Sequence, residues 1–146
     1  MKYYQGKFKP RNPKKYKGNP TNIVYRSSWE LKFMNYCDMN ENVILWQSEE
    51  IVIPYKSPLD NRYHRYFVDF YMKVKQTDGT IKEYLVEIKP KKQTEEPNRN
   101  PKKRTKQWLY EVTTWGKNQS KWAAAREFCA DRNWEFLILT EEHLNV

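Results

Sequence analysis

A short apolar segment that carries two charges on one side constrains the fold of this chain more than any other feature. Residues 84–89 have the composition of a buried β-strand, interrupted by one carboxylate and one ammonium group. Side chains alternate between the two faces of a strand, so Leu85, Glu87 and Lys89 share one side. Burying an unpaired charge costs several kcal/mol. Glu87 and Lys89 therefore require a partner, a metal ion or a substrate.

The loop at residues 77–79 predicts how the preceding strand meets this segment. A three-residue hairpin loop with its glycine in the left-handed conformation pairs Gln76 with Thr80. Counting outward from that pair places Asp69 opposite Glu87, whereas a two-residue loop would turn Asp69 to the other face. Two opposed carboxylates repel each other. A divalent cation between them removes that repulsion, and hard oxygen ligands suit Mg²⁺ or Mn²⁺.

The remaining patterns predict a helix, several antiparallel strands, two helices and a final strand. Gly116 marks the end of one helix and Asn118 the cap of the next. This order predicts an α/β (mixed α+β) fold in which a mixed central sheet lies between helices. We expect helices over residues 28–38, 105–115 and 118–132, strands over 43–47, 51–55, 63–75 and 135–139, and a terminal turn over 141–144.

The basic charge of the chain predicts a polyanionic partner. Its 146 residues include 27 Lys and Arg against 18 Asp and Glu, which gives a net charge of +9. Neutralised phosphates supply sequence-independent affinity for nucleic acid, and a basic solvated surface is the alternative. Residues 1–22 predict a basic, aromatic arm before a domain over residues 23–146. We expect this arm to be partly ordered and to lie near DNA; a disordered tail, or an arm whose aromatic residues pack back on the domain, is the alternative. Residues 90–106 predict a long basic loop.

Several classes of protein are excluded by what the sequence lacks. Cys37 and Cys129 are far apart, which predicts reduced core residues rather than a disulfide or a zinc site. His64 and His143 lack the spacing of metal ligands. The first residues are basic without an apolar stretch, and no apolar run approaches membrane-spanning length. We therefore expect a soluble, intracellular protein with no secretory signal, no membrane partner and no small-molecule cofactor.

A glutamate in the first predicted helix completes a set of charged groups. Ser27 and Glu30 have the spacing of a capping box, yet Glu30 falls on the same arc as the apolar Met34 and Cys37. Capping explains the spacing of Glu30 but not its face, which favours a functional role. Metal-assisted hydrolysis of a phosphodiester is the chemistry that such groups support. The candidate catalytic residues are Glu30, Asp69, Glu87 and Lys89.

At these residues the chain resembles the PD-(D/E)XK nuclease superfamily. Val68-Asp69 stands where the superfamily usually has Pro-Asp, and Glu87-Ile88-Lys89 matches its later motif. The resemblance implies a restriction-endonuclease-like core in which the two acids hold Mg²⁺ or Mn²⁺. It also implies that Glu30 joins through water or a second metal ion, and that Lys89 serves the attacking water.

A closer resemblance covers most of the chain. Residues 12–20, 25–30 and 121–125 are similar to segments of the head-completion nucleases of T4-like tailed phages. This resemblance implies an endonuclease that acts on the end of packaged double-stranded DNA at the portal vertex, with portal and other head proteins as partners. It also implies a place in the host cytoplasm during assembly, with the virion head as a further location.

Basic and polar residues around the expected site are candidate DNA contacts. Gln119 and Lys121 lie where related nucleases sometimes keep an accessory polar residue, and a helix start there would favour phosphate. Helix capping and a solvated lysine are the alternative explanation of these two residues. The full set is Lys14, Lys15, Lys91, Lys92, Lys102, Lys103, Arg104, Gln119 and Lys121.

Two other functions are compatible with the same sequence. A non-catalytic protein that binds the DNA end or the portal would carry a vestigial site, although such a chain need not keep like charges opposed inside a sheet. A transposase-type end-cleaving nuclease or a junction resolvase would share the chemistry. Those enzymes usually bring an added partner-binding domain or a dimer surface.

Overall fold

The computed structural model of the protein describes residues 3–146, with side chains described from residue 5 onward; Met1 and Lys2 lie outside this range. Eight strands and three α-helices form the structure, with two short 3-10 turns at Pro13–Lys15 and Lys91–Thr94. The strands are β1 (Tyr3–Phe8), β2 (Ile23–Ser27), β3 (Val43–Ser48), β4 (Val52–Lys56), β5 (Tyr63–Phe67), β6 (Phe70–Lys75), β7 (Ile81–Ile88) and β8 (Glu135–Leu139). The helices are α1 (Ser28–Met39), α2 (Lys106–Arg132) and α3 (Glu141–Leu144).

A four-stranded mixed sheet between helices confirms the predicted fold class. Its order is β3-β6-β7-β8, with β7 and β8 parallel and the other pairs antiparallel. One core cluster joins Phe33 and Met34 of α1 to Val86 of β7. The second joins Trp122 of α2 to Leu85 on the other face of β7. Both faces of β7 are therefore buried, which makes it the central strand that its composition predicted.

The predicted register of the β6–β7 hairpin is confirmed. Phe70 pairs with Val86, and Lys75 pairs with Ile81. The Gln76 amide donates to the Thr80 carbonyl at 2.7 Å, and Gly79 adopts a φ of +86°. The three-residue loop with a left-handed glycine is the one that the sequence predicted. The ladder ends at Phe70–Val86, so Asp69 and Glu87 are the residues that flank its last pair.

The predicted single strand over residues 63–75 is wrong, because the chain leaves the central sheet at Val68 and Asp69. Val68 donates its N–H to the Ile51 carbonyl at 3.1 Å, and the Asp69 carbonyl accepts from Glu49 at 3.0 Å. Strand β5 consequently pairs with β4 in a separate two-stranded sheet. The alternation restarts at the break, so Val68 packs in the α2 cluster and Phe70 in the α1 cluster.

One continuous helix spans the region where two helices were predicted. Helix α2 begins after Thr105, whose hydroxyl accepts from the Trp108 amide at 3.0 Å, and ends at Asn133 with a φ of +59°. Gly116 and Asn118 therefore lie inside the helix, not at a boundary. Their helix propensities disfavour this by only about 1 kcal/mol, and packing of the buried Trp122 outweighs that cost.

The amino-terminal segment packs on the rest of the protein. Strand β1 pairs with β2, and the rings of Phe8 and Tyr16 lie 5.8 and 4.7 Å from the Trp46 ring. The buried carboxylate of Asp38, only 1% exposed, accepts hydrogen bonds from two backbone amides of this segment. Packing of these rings agrees with the alternative in which the aromatic residues of the arm pack back on the domain, while the proximity of the arm to DNA and the division of the chain after residue 22 stay predictions. Among the described helices, none is long and apolar enough to span a membrane.

Candidate active site

Glu87 is a buried carboxylate on the central strand. Glu87 is 3% exposed and lies on the same face of β7 as Leu85, which packs in the core cluster with Trp122 of α2. The Tyr66 hydroxyl donates to Glu87 Oε1 at 2.9 Å, and the ammonium of Lys89 lies 3.7 Å from Oε2. A hydrogen bond and a cation thus fix the carboxylate inside an otherwise apolar wall.

Asp69 lies at the break between β5 and β6, beside Glu87. Its Oδ2 accepts a hydrogen bond from the backbone N–H of Ile88 at 2.8 Å, which ties the aspartate to β7 by its side chain. Burial raises the pKa of Asp69 well above its usual range, and the charge of Glu87 raises it further. The Ile88 N–H and the more distant Lys89 act in the opposite direction. The opposed acids therefore favour a shared proton or a bound cation.

Glu30 lies in the first turn of α1 and interacts electrostatically with Asp69 and Glu87. The Ser27 hydroxyl accepts from the Glu30 amide at 3.1 Å, but the glutamate side chain accepts from the Arg26 amide at 3.3 Å and not from Ser27. Burial raises the pKa of Glu30, and the charges of Glu49 and Glu87 add to that shift. Only half of the predicted capping box forms, because the Glu30 carboxylate accepts from Arg26 instead of from Ser27.

Lys121 lies in the middle of α2, over the aromatic floor of the site. Its ammonium is 5.5 Å from the Tyr66 ring centroid and 5.7 Å from that of Tyr55. Burial lowers the pKa of Lys121, and the positive charges of Lys117 and Lys89 lower it further. Gln119 is half-buried on the same helix. Because α2 is continuous here, the expected phosphate site at a helix start is absent at these two residues.

The other predicted DNA contacts are spread over two segments. Lys91 forms an ion pair with Glu142 at 2.8 Å, and Lys92 lies 3.9 Å from Glu111. Lys15 donates to two backbone carbonyls at the end of α1, at 3.0 and 2.7 Å, so its ammonium terminates that helix. Exposed side chains belong to Lys14, Lys102, Lys103 and Arg104.

Two groups near the carboxylates were missed by the sequence analysis. Tyr66 was assigned only to an apolar face, because a continuous strand over 63–75 hides its contact with Glu87. Glu49, which forms an ion pair with Arg26, was read as part of a loop. Tyr66 is three residues before Asp69 in the sequence. That spacing predicts a contact between Tyr66 and Glu87 only when the break between β5 and β6 is already known.

The carboxylates fit a hard divalent cation. Among the residues whose side chains are described, no three His, Cys, Asp or Glu groups are close enough to enclose a metal ion by themselves. Magnesium, however, usually binds through one or two carboxylates together with waters and substrate phosphates. Asp69 and Glu87 supply two such carboxylates, and a cation would offset both causes of the raised pKa of Asp69, its burial and the charge of Glu87. The oxygen donors exclude a soft-metal site of the thiolate type.

Comparisons with known proteins agree with this geometry. The family described as TnsA-like endonuclease N terminal matches residues 40–141, a range that contains Asp69, Glu87 and Lys89 but not Glu30. The chain is also 41% identical over 146 residues to the head completion nuclease of Enterobacteria phage T4, covering 98% of this chain and 95% of that protein. The restriction-endonuclease-like core implied by the earlier resemblance is thereby confirmed. The chain belongs to the TnsA-like family of endonuclease domains, within which it is a homologue of a phage head completion nuclease.

Proposed function

We propose that this protein is a divalent-metal-dependent DNA endonuclease that acts on packaged DNA during completion of a phage head. The single observation that carries the proposal is the pair Asp69 and Glu87, in which the Asp69 carboxylate is held beside Glu87 by the Ile88 N–H at 2.8 Å and the Lys89 ammonium lies 3.7 Å from Glu87. Similarity over nearly the whole chain to a head completion nuclease supports the biological setting.

Each charged residue has a role in this proposal. Asp69 and Glu87 would hold Mg²⁺ or Mn²⁺, and Glu30 would join through water or a second cation. A bound cation supplies Lewis acidity toward the scissile phosphate and the attacking water. Lys89 orients that water or offsets the charge that develops on the phosphate. Tyr66 holds the Glu87 carboxylate in place through its hydrogen bond.

Double-stranded DNA is the proposed substrate, and the basic residues around the site are its proposed contacts. Lys91, Lys92, Lys102, Lys103 and Arg104 lie on the segment that leaves β7 directly after Lys89. Lys14 is exposed on the amino-terminal segment, whereas Lys15 contributes to DNA binding only through its field because its ammonium is already bonded. Gln119 and Lys121 would act from the middle of α2. Portal and head proteins are the proposed partners, in the host cytoplasm during assembly and in the virion head.

A second candidate is cleavage at transposon-like DNA ends. It is favoured by the match to the TnsA-like endonuclease family, and it uses the same residues. Identity to a head completion nuclease along 98% of the chain favours the first candidate. A purely structural role is disfavoured because a protein without catalysis gains nothing from two opposed acids in its core.

Cleavage of linear and supercoiled double-stranded DNA tests the proposal. The wild-type protein is assayed with Mg²⁺, with Mn²⁺ and with a chelator. We expect cutting with either metal and none with the chelator, on DNA that lacks transposon ends. No cutting under any metal, with DNA still bound, would support the structural role instead. Cutting confined to DNA that carries transposon ends would support the second candidate.

A further inference from the structure

A two-stranded ribbon beside the site has no function in the proposal above. It consists of β4 and β5, joined by the turn at residues 57–62, and we call it the β4–β5 ribbon. The ribbon pairs with no other strand among the described residues. Its register places Val52 opposite Phe67, Pro54 opposite Arg65 and Lys56 opposite Tyr63.

The two faces of the ribbon differ sharply in burial. Ile53, Tyr55 and Tyr66 are each 3% exposed and pack in the same cluster as Trp122 of α2. The opposite face is open: Tyr63 is 75% exposed and Phe67 47% exposed. Single exposed apolar groups are normal, whereas here Tyr63, Phe67 and Val52 lie on the same face of one ribbon, which favours a binding surface.

The chemistry of the outer face suits a polyanion with apolar edges. Lys56, Arg62 and Arg65 are exposed on the ribbon, and Arg65 lies 5.7 Å from the Phe67 ring. The acidic residue of the turn, Asp60, is already bonded, since its two oxygens accept from the Arg62 amide and the His64 ring. Leu59, 59% exposed, is at the tip. Positive charge and aromatic surface without a free carboxylate match nucleic acid better than a typical protein surface.

The ribbon begins at the candidate site and leads away from it. Phe67 is two residues before Asp69, and Tyr66 on the inner face bonds Glu87. Tyr63 is six positions before Asp69, which corresponds to at most about 20 Å of extended chain. That length equals about six base pairs at 3.4 Å each. The ribbon is also supported along its length, because Pro58 lies beside Gly116 of α2 and Tyr55 lies under Lys121.

We propose that the outer face of the β4–β5 ribbon inserts into the major groove of duplex DNA, within about six base pairs of the scissile phosphate at the candidate site. The inference rests on the proposed nuclease function and adds to it a surface that sets the position of the cut. A major groove about 12 Å wide admits a two-stranded ribbon. Arg65 and Lys56 contact phosphates or guanine edges there, and Tyr63 contacts the base edges or sugars.

A double substitution tests this surface with a matched control. Tyr63→Ser with Arg65→Gln removes one exposed ring and one charge from the ribbon. Ile81→Ser with Lys75→Gln removes one exposed apolar group and one charge from a cross-strand pair at the opposite end of the central sheet. Binding to a 30-base-pair duplex is measured in Ca²⁺, and methylation of guanine N7 maps the major groove.

We expect the ribbon variant to bind about tenfold more weakly and to lose protection of guanine N7 within about six base pairs of the cut, while the control matches the wild type. Equal binding and protection by both variants, with wild-type cleavage intact, would overturn the ribbon proposal alone. Failure of the wild type to bind or cut DNA at all would overturn the nuclease proposal with it. If the ribbon variant changed only the oligomeric state in light scattering, the face would be a protein interface and the DNA proposal would be wrong.

Discussion

At the scale of single residues, the site is defined by charges that are placed close together and are costly to bury. Asp69 is tied to Ile88, and Glu87 to Tyr66 and Lys89, so neither carboxylate can turn away from the other without breaking a hydrogen bond or an ion pair. Active sites commonly retain such groups at the expense of stability, because pre-organised charge is what the chemistry uses.

The raised pKa of Asp69 predicts a pH-dependent loss of stability in the metal-free protein. A folded-state pKa above the unfolded value means that ionising Asp69 costs folding free energy. That cost is absent below the ordinary carboxyl pKa and grows as the pH rises toward the folded-state pKa. Asp69→Asn keeps the acceptor for Ile88 and removes the charge. With chelator present, we expect urea denaturation to show the variant more stable than the wild type near neutral pH.

The difference between the two proteins should shrink as the pH falls toward about 4, where both carry a neutral side chain. Asp131→Asn, an exposed change on α2, is the control and should follow the wild type at each pH. A variant that is less stable than wild type at neutral pH without metal would show that the Asp69 carboxylate is not under electrostatic strain.

A second residue-scale prediction concerns Asp38, which binds the amino-terminal segment. Its two oxygens accept from the Arg11 and Asn12 amides at 2.9 and 3.0 Å. Asp38→Ala leaves both donors without this partner, at about 1–3 kcal/mol each. We expect a loss of about 2–6 kcal/mol in urea denaturation and faster tryptic cleavage after the lysines of residues 7–17. Asp131→Ala should change neither, and equal protease resistance of Asp38→Ala would show that other contacts hold the segment.

At the scale of elements, the hairpin could be predicted and the chain break could not. The β6–β7 register follows from local chemistry, because one glycine and a loop length determine which residues pair. The departure of β5 from the sheet depends on distant partners, Ile51 and Glu49, which no local pattern identifies. The alternation of apolar and polar residues continues without interruption through Val68 and Asp69. The sequence therefore does not indicate that Val68 and Phe70 pack on opposite faces of the central sheet.

Helix α2 is a second element whose bounds could not be predicted from local sequence. Gly116 is a reasonable helix terminator by propensity, but here it faces Pro58 of the ribbon turn, and the helix continues through it. Asn118 is a buried residue in the middle of α2 and caps no helix. Propensity differences of about 1 kcal/mol are smaller than the packing energy of a long amphipathic face, so tertiary contacts decide the boundary.

Two glycine substitutions distinguish these local roles. A Cβ at Gly116 would lie 3.9 Å from Pro58 Cγ, an ordinary contact, so Gly116→Ala should stabilise the protein by about 1 kcal/mol. Gly79 has open space but a φ of +86°, so Gly79→Ala should destabilise it by about 1 kcal/mol. Thermal and urea denaturation measure both. Destabilisation by Gly116→Ala would contradict a continuous α2 in solution.

At the scale of the whole molecule, a net charge of +9 supplies a field that draws DNA toward the site. The segment after β7 concentrates part of this charge in the exposed Lys102, Lys103 and Arg104. Charge and length were sufficient to predict a polyanionic partner. The position of the ribbon could not be predicted from charge and length. Neither could the partners of Lys15 and Lys91, because only the fold shows which basic groups are already bonded within the protein.

Neutralising that exposed cluster should change how DNA binding responds to salt. With Lys102, Lys103 and Arg104 all replaced by Gln, we expect the slope of log affinity against log salt to fall by about 2 to 3, because each lost phosphate contact removes about 0.9. Replacing Lys32, Lys75 and Arg132, which are exposed on other parts of the molecule, is the matched control for net charge. Identical slopes for the two triple variants would show that the segment makes no phosphate contacts of its own.

The most direct measurement is the rate of DNA cleavage at saturating Mg²⁺ by the wild type, Asp69→Asn and Glu87→Gln. Both substitutions keep the size of the side chain and remove one of the opposed charges, and denaturation curves verify that each variant is folded. We expect each variant to cleave at least about 100-fold more slowly, the usual loss when one pre-organised charged group is removed. A folded Asp69→Asn or Glu87→Gln protein that cleaves as fast as the wild type would contradict the assignment of the active site.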